Sequence, residues 1–310
     1  MNLLSPPTFA LLFVCMQPIA AGQTGWSRTE WNTEPAWVSE SGPFKAVVSE
    51  SRSRLIYLGP ATGDANLLSA PSPLPAPTAK ESAPNWGGHR FWLGPQSRWK
   101  WPPVRDWEFA AIAEAKAADG VLTLLHPRTD AAYPQLQREY AWEGGRLRCT
   151  VGWKGGGEPS YGMHVIAVDA PTTLSGRLHA WDRVPHGVVG INGDTPNTTD
   201  PLPHPAITVR DGVAYARTGA GTAKLGFYPQ ALENRRGEWT LVMHPGPTSG
   251  TPLESPDHGY LSQIWVGPAA YSFCELEQLT PFMLPAADGW CSSTVYLEVS
   301  ALPHSGGTDK

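Results

Sequence analysis

The chain has 310 residues, a formal net charge of −5 and only 16% charged residues. Glycine and proline are abundant, at 32 residues each, which is typical of many short strands joined by turns. This length allows a substantial hydrophobic core, so the chain is neither disordered nor fibrous. Because it is mildly acidic and has no cluster of lysine and arginine, a nucleic-acid partner is excluded on charge.

The amino terminus resembles a secretory signal. An apolar run at 9–16 is followed by the small residues Ala-Ala-Gly at 20–22, although no lysine or arginine precedes the run. We expect a signal peptide over 1–22, a mature chain that begins at Gln23, and a periplasmic or secreted location. No later segment approaches the ~20 apolar residues of a spanning helix, so we expect one domain over 23–310 and no membrane span.

About a dozen short runs, such as "KAVVSE", "MHVIAVDAP" and "STVYLEVS", are apolar or alternate in polarity. Most are bounded by Gly, Pro, Asn or Asp, as strands between turns are. The window "DWEFAAIAEAKAADG" at 106–120 fits either a helix or a strand, and "APSPLPAPTAKESAP" at 70–84 fits either a linker or a fixed connection. The pattern predicts an all-β fold of two large antiparallel sheets packed face to face.

The segment "PNWGGHRFWLGPQSRWKWPP" at 84–103 holds four tryptophans. Its Gly-Gly pair permits a tight turn, and strand alternation then places Arg90 and Trp92 on one face. Tryptophan stacks on sugar rings while Arg, Asn and His bond sugar hydroxyls. The segment therefore suggests a carbohydrate site formed by Asn85, His89, Arg90 and Trp92, or alternatively a tryptophan-rich core with arginine stacked on the rings.

For the last two tryptophans of this segment, Trp99 and Trp101, we favour packing over a role in binding. Trp101 directly precedes a Pro-Pro pair, which suits a fixed, packed position.

A pair of glutamates stands near the carboxyl end in "YSFCELEQLTPF" at 271–282. On a strand, Glu275 and Glu277 lie on one face about 7 Å apart. Two carboxylates this close in a partly dry cleft raise at least one pKa towards the range useful for acid–base work. Two ordinary glutamates on a solvated face fit the spacing equally well.

Three segments together resemble a bacterial family of the galactose mutarotase-like (aldose 1-epimerase-like) superfamily of β-supersandwiches. The first is the G-G-x-R turn with "WKWPP", the second "YSFCELEQLTPF", and the third "REYAWEGGRLRCTVGWKGGGEPSYGMHVIAVDAP". The second is also similar to the C-L-E-T-Q stretch that carries the catalytic base of aldose 1-epimerases. The likeness spans roughly residues 46–298 and implies an antiparallel supersandwich fold.

The resemblance also implies roles for single residues. Asn85 and Arg90 match sugar-binding positions, His164 lies near the epimerase catalytic histidine, and Glu277 matches the catalytic base with Glu275 as its neighbour. The epimerase N-H-x-Y-F pattern is replaced here by "GMHVIA". For the substrate-binding aspartate of epimerases, Asp182 and Asp257 are the candidates.

The remaining histidines and cysteines support no metal site. The histidines lack metal-binding spacing, and no C-x-x-C pair occurs, so we expect neither a metal nor another cofactor. Cys274 and Cys291 either form a disulfide or are small buried thiols.

The leading hypothesis is an exported protein that binds a sugar or an oligosaccharide. The first alternative is an active aldose 1-epimerase-like enzyme that uses a glutamate base and a histidine acid. The second alternative is a structural or interaction protein of the cell envelope.

Overall fold

The computed structural model describes residues 25–71, 86–178, 187–192, 197–268 and 270–302. The predicted signal peptide, Asn85, Asp182 and most of the proline-rich segment at 70–84 lie outside these ranges. Within them, no helix is long and apolar enough to cross a membrane.

Strands make up nearly all of the regular secondary structure in the described chain, which confirms the predicted all-β class. The strands are β1 (Ser27–Trp31), β2 (Glu34–Ser41), β3 (Phe44–Ser49), β4 (Arg54–Pro60), β5 (His89–Gly94), β6 (Glu114–Ala118), β7 (Val121–Leu125), β8 (Gln135–Glu143), β9 (Arg146–Lys154), β10 (Tyr161–Asp169), β11 (Thr173–Arg177), β12 (Val189–Asn192), β13 (Asn197–Thr199), β14 (Ile207–Arg210), β15 (Val213–Arg217), β16 (Ala223–Phe227), β17 (Leu232–Arg236), β18 (Trp239–Ser249), β19 (Thr251–Pro252), β20 (Ser262–Val266), β21 (Phe273–Leu279), β22 (Met283–Leu284) and β23 (Trp290–Ala301).

The helical elements are short. They are α1 (Arg105–Glu108) and two 3-10 turns, Gln96–Arg98 and Asp257–Gly259. The ambiguous window at 106–120 thus divides into the end of α1 and the strand β6, whose side chains alternate between half-buried and exposed.

Two large antiparallel sheets dominate the architecture. The ten-stranded sheet has the order β14-β15-β11-β17-β18-β23-β9-β8-β7-β6, and the seven-stranded sheet has the order β13-β12-β16-β20-β21-β10-β5. A four-stranded meander, β1-β2-β3-β4, and the small pair β19-β22 complete the structure. The main core packs side chains of both large sheets together, for example Ile166 and Leu276 with Leu241 and Leu297. Face-to-face packing of two sheets is the sandwich architecture that the sequence predicts.

The registers in the seven-stranded sheet decide which side chains share a face. Val165 of β10 lies opposite both Arg90 of β5 and Glu277 of β21. Directly paired residues project to the same side of a sheet, so Arg90 and Glu277 share the face that points away from the main core. Their neighbours along each strand, including His89 and Leu276, project towards the core.

The cysteines are thiols in this fold. Cys149, Cys274 and Cys291 are all buried and unbridged. Cys274 belongs to the main core, whereas Cys291 packs in a second cluster around Phe91 and Trp153. Cys274 and Cys291 are therefore small buried thiols and do not form a disulfide.

Candidate functional site

A cavity of about 1170 Å³ lies over the outward face of the seven-stranded sheet. Its acidic and basic lining residues are Arg90, Asp169, Lys224, Glu275 and Glu277. They come from β5, β10, β16 and β21, four strands of the same sheet. Strand alternation therefore collects charged side chains from distant parts of the sequence on one surface.

Two ion pairs form the floor of the cavity. Arg90 Nη1 donates to Glu275 Oε1 at 2.7 Å, and Lys224 Nζ lies 2.9 Å from Glu277 Oε2. The two carboxylates are buried, while the Lys224 side chain is 28% exposed. The floor thus presents carboxylate oxygens and cationic N–H donors side by side, and sugar hydroxyls bond to both kinds of group.

The cavity floor shifts the pKa values of Glu275 and Lys224. Burial raises the pKa of Glu275 to about 7, and the charge of Glu277 adds to this effect, while Arg90 and Lys224 oppose it. Burial lowers the pKa of Lys224, but Glu277 and Glu275 more than offset it, so the net shift is upward. At neutral pH Glu275 can therefore exchange a proton, whereas Lys224 keeps its charge.

Behind the floor, a buried glutamate fixes two of the lining residues. Glu108, at the end of α1, is fully buried and accepts from Arg54 Nη1 at 2.9 Å, Arg90 Nε at 3.1 Å and Trp92 Nε1 at 2.9 Å. The guanidinium carbon of Arg90 lies 4.3 Å from the Trp92 ring centre. Arg90 thus bridges the interior carboxylate of Glu108 and the cavity carboxylate of Glu275.

Aromatic side chains form the walls. Trp92 and Trp101 lie at one end, and Trp265, Tyr271 and Phe273 lie at the other. Trp101 is 53% exposed and contacts Trp92 edge to face, with ring centres 6.2 Å apart. The expectation that Trp101 is a packing residue is therefore wrong. Trp99 packs against a core cluster and donates to Leu93 O, as expected.

The histidines that the sequence suggested are not in the cavity. His164 and His89 project from the opposite face of the sheet and are fully buried. Their rings stack with centres 5.2 Å apart, and His89 Nε2 lies 2.9 Å from His164 Nδ1. Burial, together with Arg138, lowers the pKa of His164 to about 3. Burial also lowers the pKa of His89 well below its usual value, and His164 and Arg138 add to the shift.

The candidate residues therefore separate into two groups. The structure brings Arg90, Trp92, Glu275 and Glu277 together on one concave surface. It places His164 and His89 behind that surface. The prediction that His164 acts together with Glu277 is therefore wrong, because residues 164 and 277 are offset by one position in the register and face opposite sides of the sheet.

Of the two aspartate candidates, only Asp257 belongs to the described residues. Asp257 does not line the cavity, and its carboxylate accepts from Gln263 Nε2 at 2.6 Å. Asp182, like Asn85, lies outside the described residues. Among the residues that are described, no group of three or more His, Cys, Asp and Glu side chains is placed to hold a metal ion.

Sequence reasoning missed several lining residues. Tyr271 and Phe273 continue the alternation of Glu275 and Glu277, so the period of two was a usable signal for them. Lys224 and Trp265 lie in ordinary strand patterns, and only the pairing of β16, β20 and β21 brings them to the site.

No protein-family profile and no curated protein matches the sequence, but solved structures match the fold. A provisionally named aldose 1-epimerase from Escherichia coli K12 is 14% identical, with a TM-score of 0.55 over 89% of this chain and 100% of its own. A protein from Synechocystis sp. PCC 6803 is 12% identical, with a TM-score of 0.52 over 92% of this chain and 99% of its own.

A TPR-domain containing protein from Parabacteroides distasonis is 11% identical, with a TM-score of 0.56 over 86% of this chain and 47% of its own length. This chain thus spans about half of that larger protein. Identities this low speak to the fold alone. The chain has the galactose mutarotase-like sandwich fold that its three sequence segments resemble.

Proposed function

We propose that this is an exported carbohydrate-binding protein whose ligand occupies the cavity over the seven-stranded sheet. The observation that carries the proposal is the combination of exposed aromatic rings with two ion pairs in one concave site. Trp101 and Tyr271 are 53% and 52% exposed, which is unusual for side chains of this size. Carbohydrate sites need apolar faces for the sugar ring and fixed donors and acceptors for its hydroxyls.

The ion pairs suit this role because each charged group already has a partner of opposite charge before a ligand arrives. Arg90 is held by Glu275 and Glu108, and Lys224 by Glu277. Side chains that are fixed in advance lose little conformational entropy when a sugar binds. The spare lone pairs of the carboxylates and the spare N–H groups of the cations can then bond to hydroxyls.

A panel of glycans, titrated by calorimetry, tests this proposal. We expect Lys224→Gln to weaken binding about tenfold, because it removes a charged donor and leaves Glu277 without its counter-ion. Lys116 is exposed on β6, at the far edge of the ten-stranded sheet, so Lys116→Gln is the matched control and should bind as wild type does. If the two variants bind a sugar with equal affinity, the sugar site does not lie in this cavity.

Export is part of the proposal and is supported by the amino-terminal pattern. Amino-terminal sequencing of the protein from its natural compartment should find a chain that begins near Gln23. An intact Met1 terminus recovered from the cytoplasm would contradict export.

A second candidate is an aldose 1-epimerase-like enzyme, which the raised pKa of Glu275 favours. In such a reaction Glu277 accepts the anomeric hydroxyl proton while a protonated Glu275 gives its proton to the ring oxygen, and the ring bond between the anomeric carbon and that oxygen breaks. Reclosure on the other face of the carbonyl returns both protons. Glu275 would thus take the role that His164, behind the sheet, cannot fill.

Polarimetry separates the two candidates. If the protein is a binder, freshly dissolved glucose, galactose and uronic acids will mutarotate at the spontaneous rate in its presence. Rapid mutarotation by wild type that is lost in both Glu277→Gln and Glu275→Gln would establish the enzyme instead.

A further inference from the structure

One end of the cavity is a cluster of three aromatic rings, which we call the distal platform: Trp265, Tyr271 and Phe273. The Tyr271 and Phe273 rings are parallel within 4°, with centres 5.8 Å apart, and Trp265 lies 5.9 Å and 5.6 Å from them. Stacked rings of which one is half exposed form a ready apolar surface for a ligand ring.

A glycine makes room for the distal platform. A methyl group added at Gly267, in the loop after β20, would lie 2.6 Å from Trp265 Cη2 and 3.1 Å from Tyr271 Cδ2. Both distances are shorter than ordinary van der Waals contact. The orientation of the platform therefore depends on the absence of a side chain at this position.

The other end of the cavity carries the proximal platform, formed by Trp92 and Trp101. Trp92 is fixed by its bond to Glu108 at 2.9 Å and by Arg90 over its ring. Trp101 stands edge to face against it and exposes half of its surface. In each platform, a less exposed aromatic residue thus supports an exposed one: Trp92 is buried, whereas Trp265 and Phe273 are half-buried.

The sheet geometry sets the separation of the two platforms. Trp92 on β5 and Trp265 on β20 are three strand spacings apart, about 14 Å. Along the strands, Trp92 lies level with Leu279 through Met163, whereas Trp265 lies level with Glu275, an offset of four residues or about 13 Å. The diagonal between the two backbone positions is therefore roughly 19 Å.

One sugar ring is too small to span the separation between Trp92 and Trp265. Atoms in van der Waals contact are about 3.5–4 Å apart, so a ring held between two aromatic faces requires those faces to be roughly 8 Å apart. Side chains on strands stand roughly perpendicular to the sheet, which preserves most of the separation between Trp92 and Trp265, against which the loop residues Trp101 and Tyr271 pack. The volume of about 1170 Å³ also exceeds the ~300–1,000 Å³ of usual small-molecule pockets.

We infer that the ligand is an oligosaccharide that stacks one sugar unit on the proximal platform and another on the distal platform. The units between them cross the charged floor, where the Arg90–Glu275 and Lys224–Glu277 pairs bond their hydroxyls. This inference rests on the proposed carbohydrate-binding function and adds the length of the ligand to it.

The test is a length series. After a glycan array has identified the sugar, calorimetry measures the affinity of each chain from monosaccharide to hexasaccharide of that sugar. Maltose-, cellobiose- and chitobiose-based series serve as first probes. We expect the affinity to rise until the chain reaches both platforms and then to level off, because longer chains gain no further stacked ring.

Variants test whether the increase in affinity with chain length comes from stacking on the two platforms. Trp101→Ala and Tyr271→Ala should each weaken hexasaccharide binding roughly three- to tenfold, and only one of them should affect the monosaccharide. Gly267→Ala should weaken hexasaccharide binding without removing a ring. Tyr296→Ala, on the outer face of the ten-stranded sheet, is the aromatic control and should leave the affinity for every chain length unchanged.

The outcomes distinguish the inference from the function on which it rests. If the monosaccharide binds as tightly as the hexasaccharide, the oligosaccharide inference is wrong and carbohydrate binding stands. If no glycan of any length binds, both are wrong. If affinity rises with length but neither platform variant alters the rise, the chain follows another path and the inference fails.

Discussion

Removing the charge of Glu108 should destabilise the protein and disturb the cavity at the same time. Glu108 Oε1 accepts from both Arg54 and Arg90, and Oε2 accepts from Trp92 Nε1. Glu108→Gln keeps the shape of the side chain but has a single acceptor oxygen. If that oxygen faces the two arginines, the amide NH₂ faces the indole N–H, and two donors oppose each other.

The size of the effect follows from burial. Glu108 and Arg54 have fully buried side chains, and that of Arg90 is 5% exposed. Loss of one partner from such a group costs about 3–5 kcal/mol, because it leaves a buried charge uncompensated. Glu158, in contrast, is 76% exposed and lies 3.7 Å from Arg98, so Glu158→Gln should cost less than about 1 kcal/mol.

Urea unfolding at pH 7 measures the free energy of unfolding of both variants. An unchanged m-value verifies that the variants differ from wild type in stability and not in the surface exposed on unfolding. In a double-mutant cycle, Glu108→Gln should cost about 1 kcal/mol less in a Trp92→Phe background than in wild type, because the opposed donor is gone. Similar costs for Glu108→Gln and Glu158→Gln, or equal costs of Glu108→Gln in the two backgrounds, would refute the network.

Two further predictions concern the turn before β5 and the cavity floor. Gly87 has φ +61, and an added methyl would lie 1.8 Å from Ser69 O, whereas Gly42 has φ +57 and open space. Gly87→Ala should therefore cost several-fold more than the ~1 kcal/mol of Gly42→Ala in urea unfolding, and equal costs would show that the loop adjusts freely. For Glu275, the pKa is about 7 in the folded protein and about 4.3 in an unfolded chain. The folded state therefore holds this proton more tightly, and wild type loses stability as the pH rises from about 4.3 to about 7. Glu275→Gln removes this dependence, so its stability relative to wild type should increase over that range; a constant difference would contradict the raised pKa.

The sequence predicted which side chains share a face better than it predicted which face is buried. In β21 the acidic face, with Glu275 and Glu277, is readily distinguished from the face with Leu276 by alternation alone. In β10 the two sets of alternating residues are both largely apolar. The period of two therefore could not show that His164 points to the core.

His89 illustrates the same limit. Alternation places it on the face opposite Arg90, yet both residues are polar, and a sequence does not reveal a buried partner. The stacking of His89 on His164 depends on the pairing of β5 with β10, which brings together residues that are 75 positions apart. Long-range pairing also explains why Lys224 and Trp265 escaped sequence reasoning.

A crystal structure of the protein with its tightest-binding oligosaccharide tests the central claim most directly. We predict one sugar ring over Trp101, another over Tyr271, and hydroxyls within hydrogen-bond distance of Arg90, Glu275 or Lys224. Sugar bound outside this cavity, or a cavity that holds only water at saturating ligand, would contradict it.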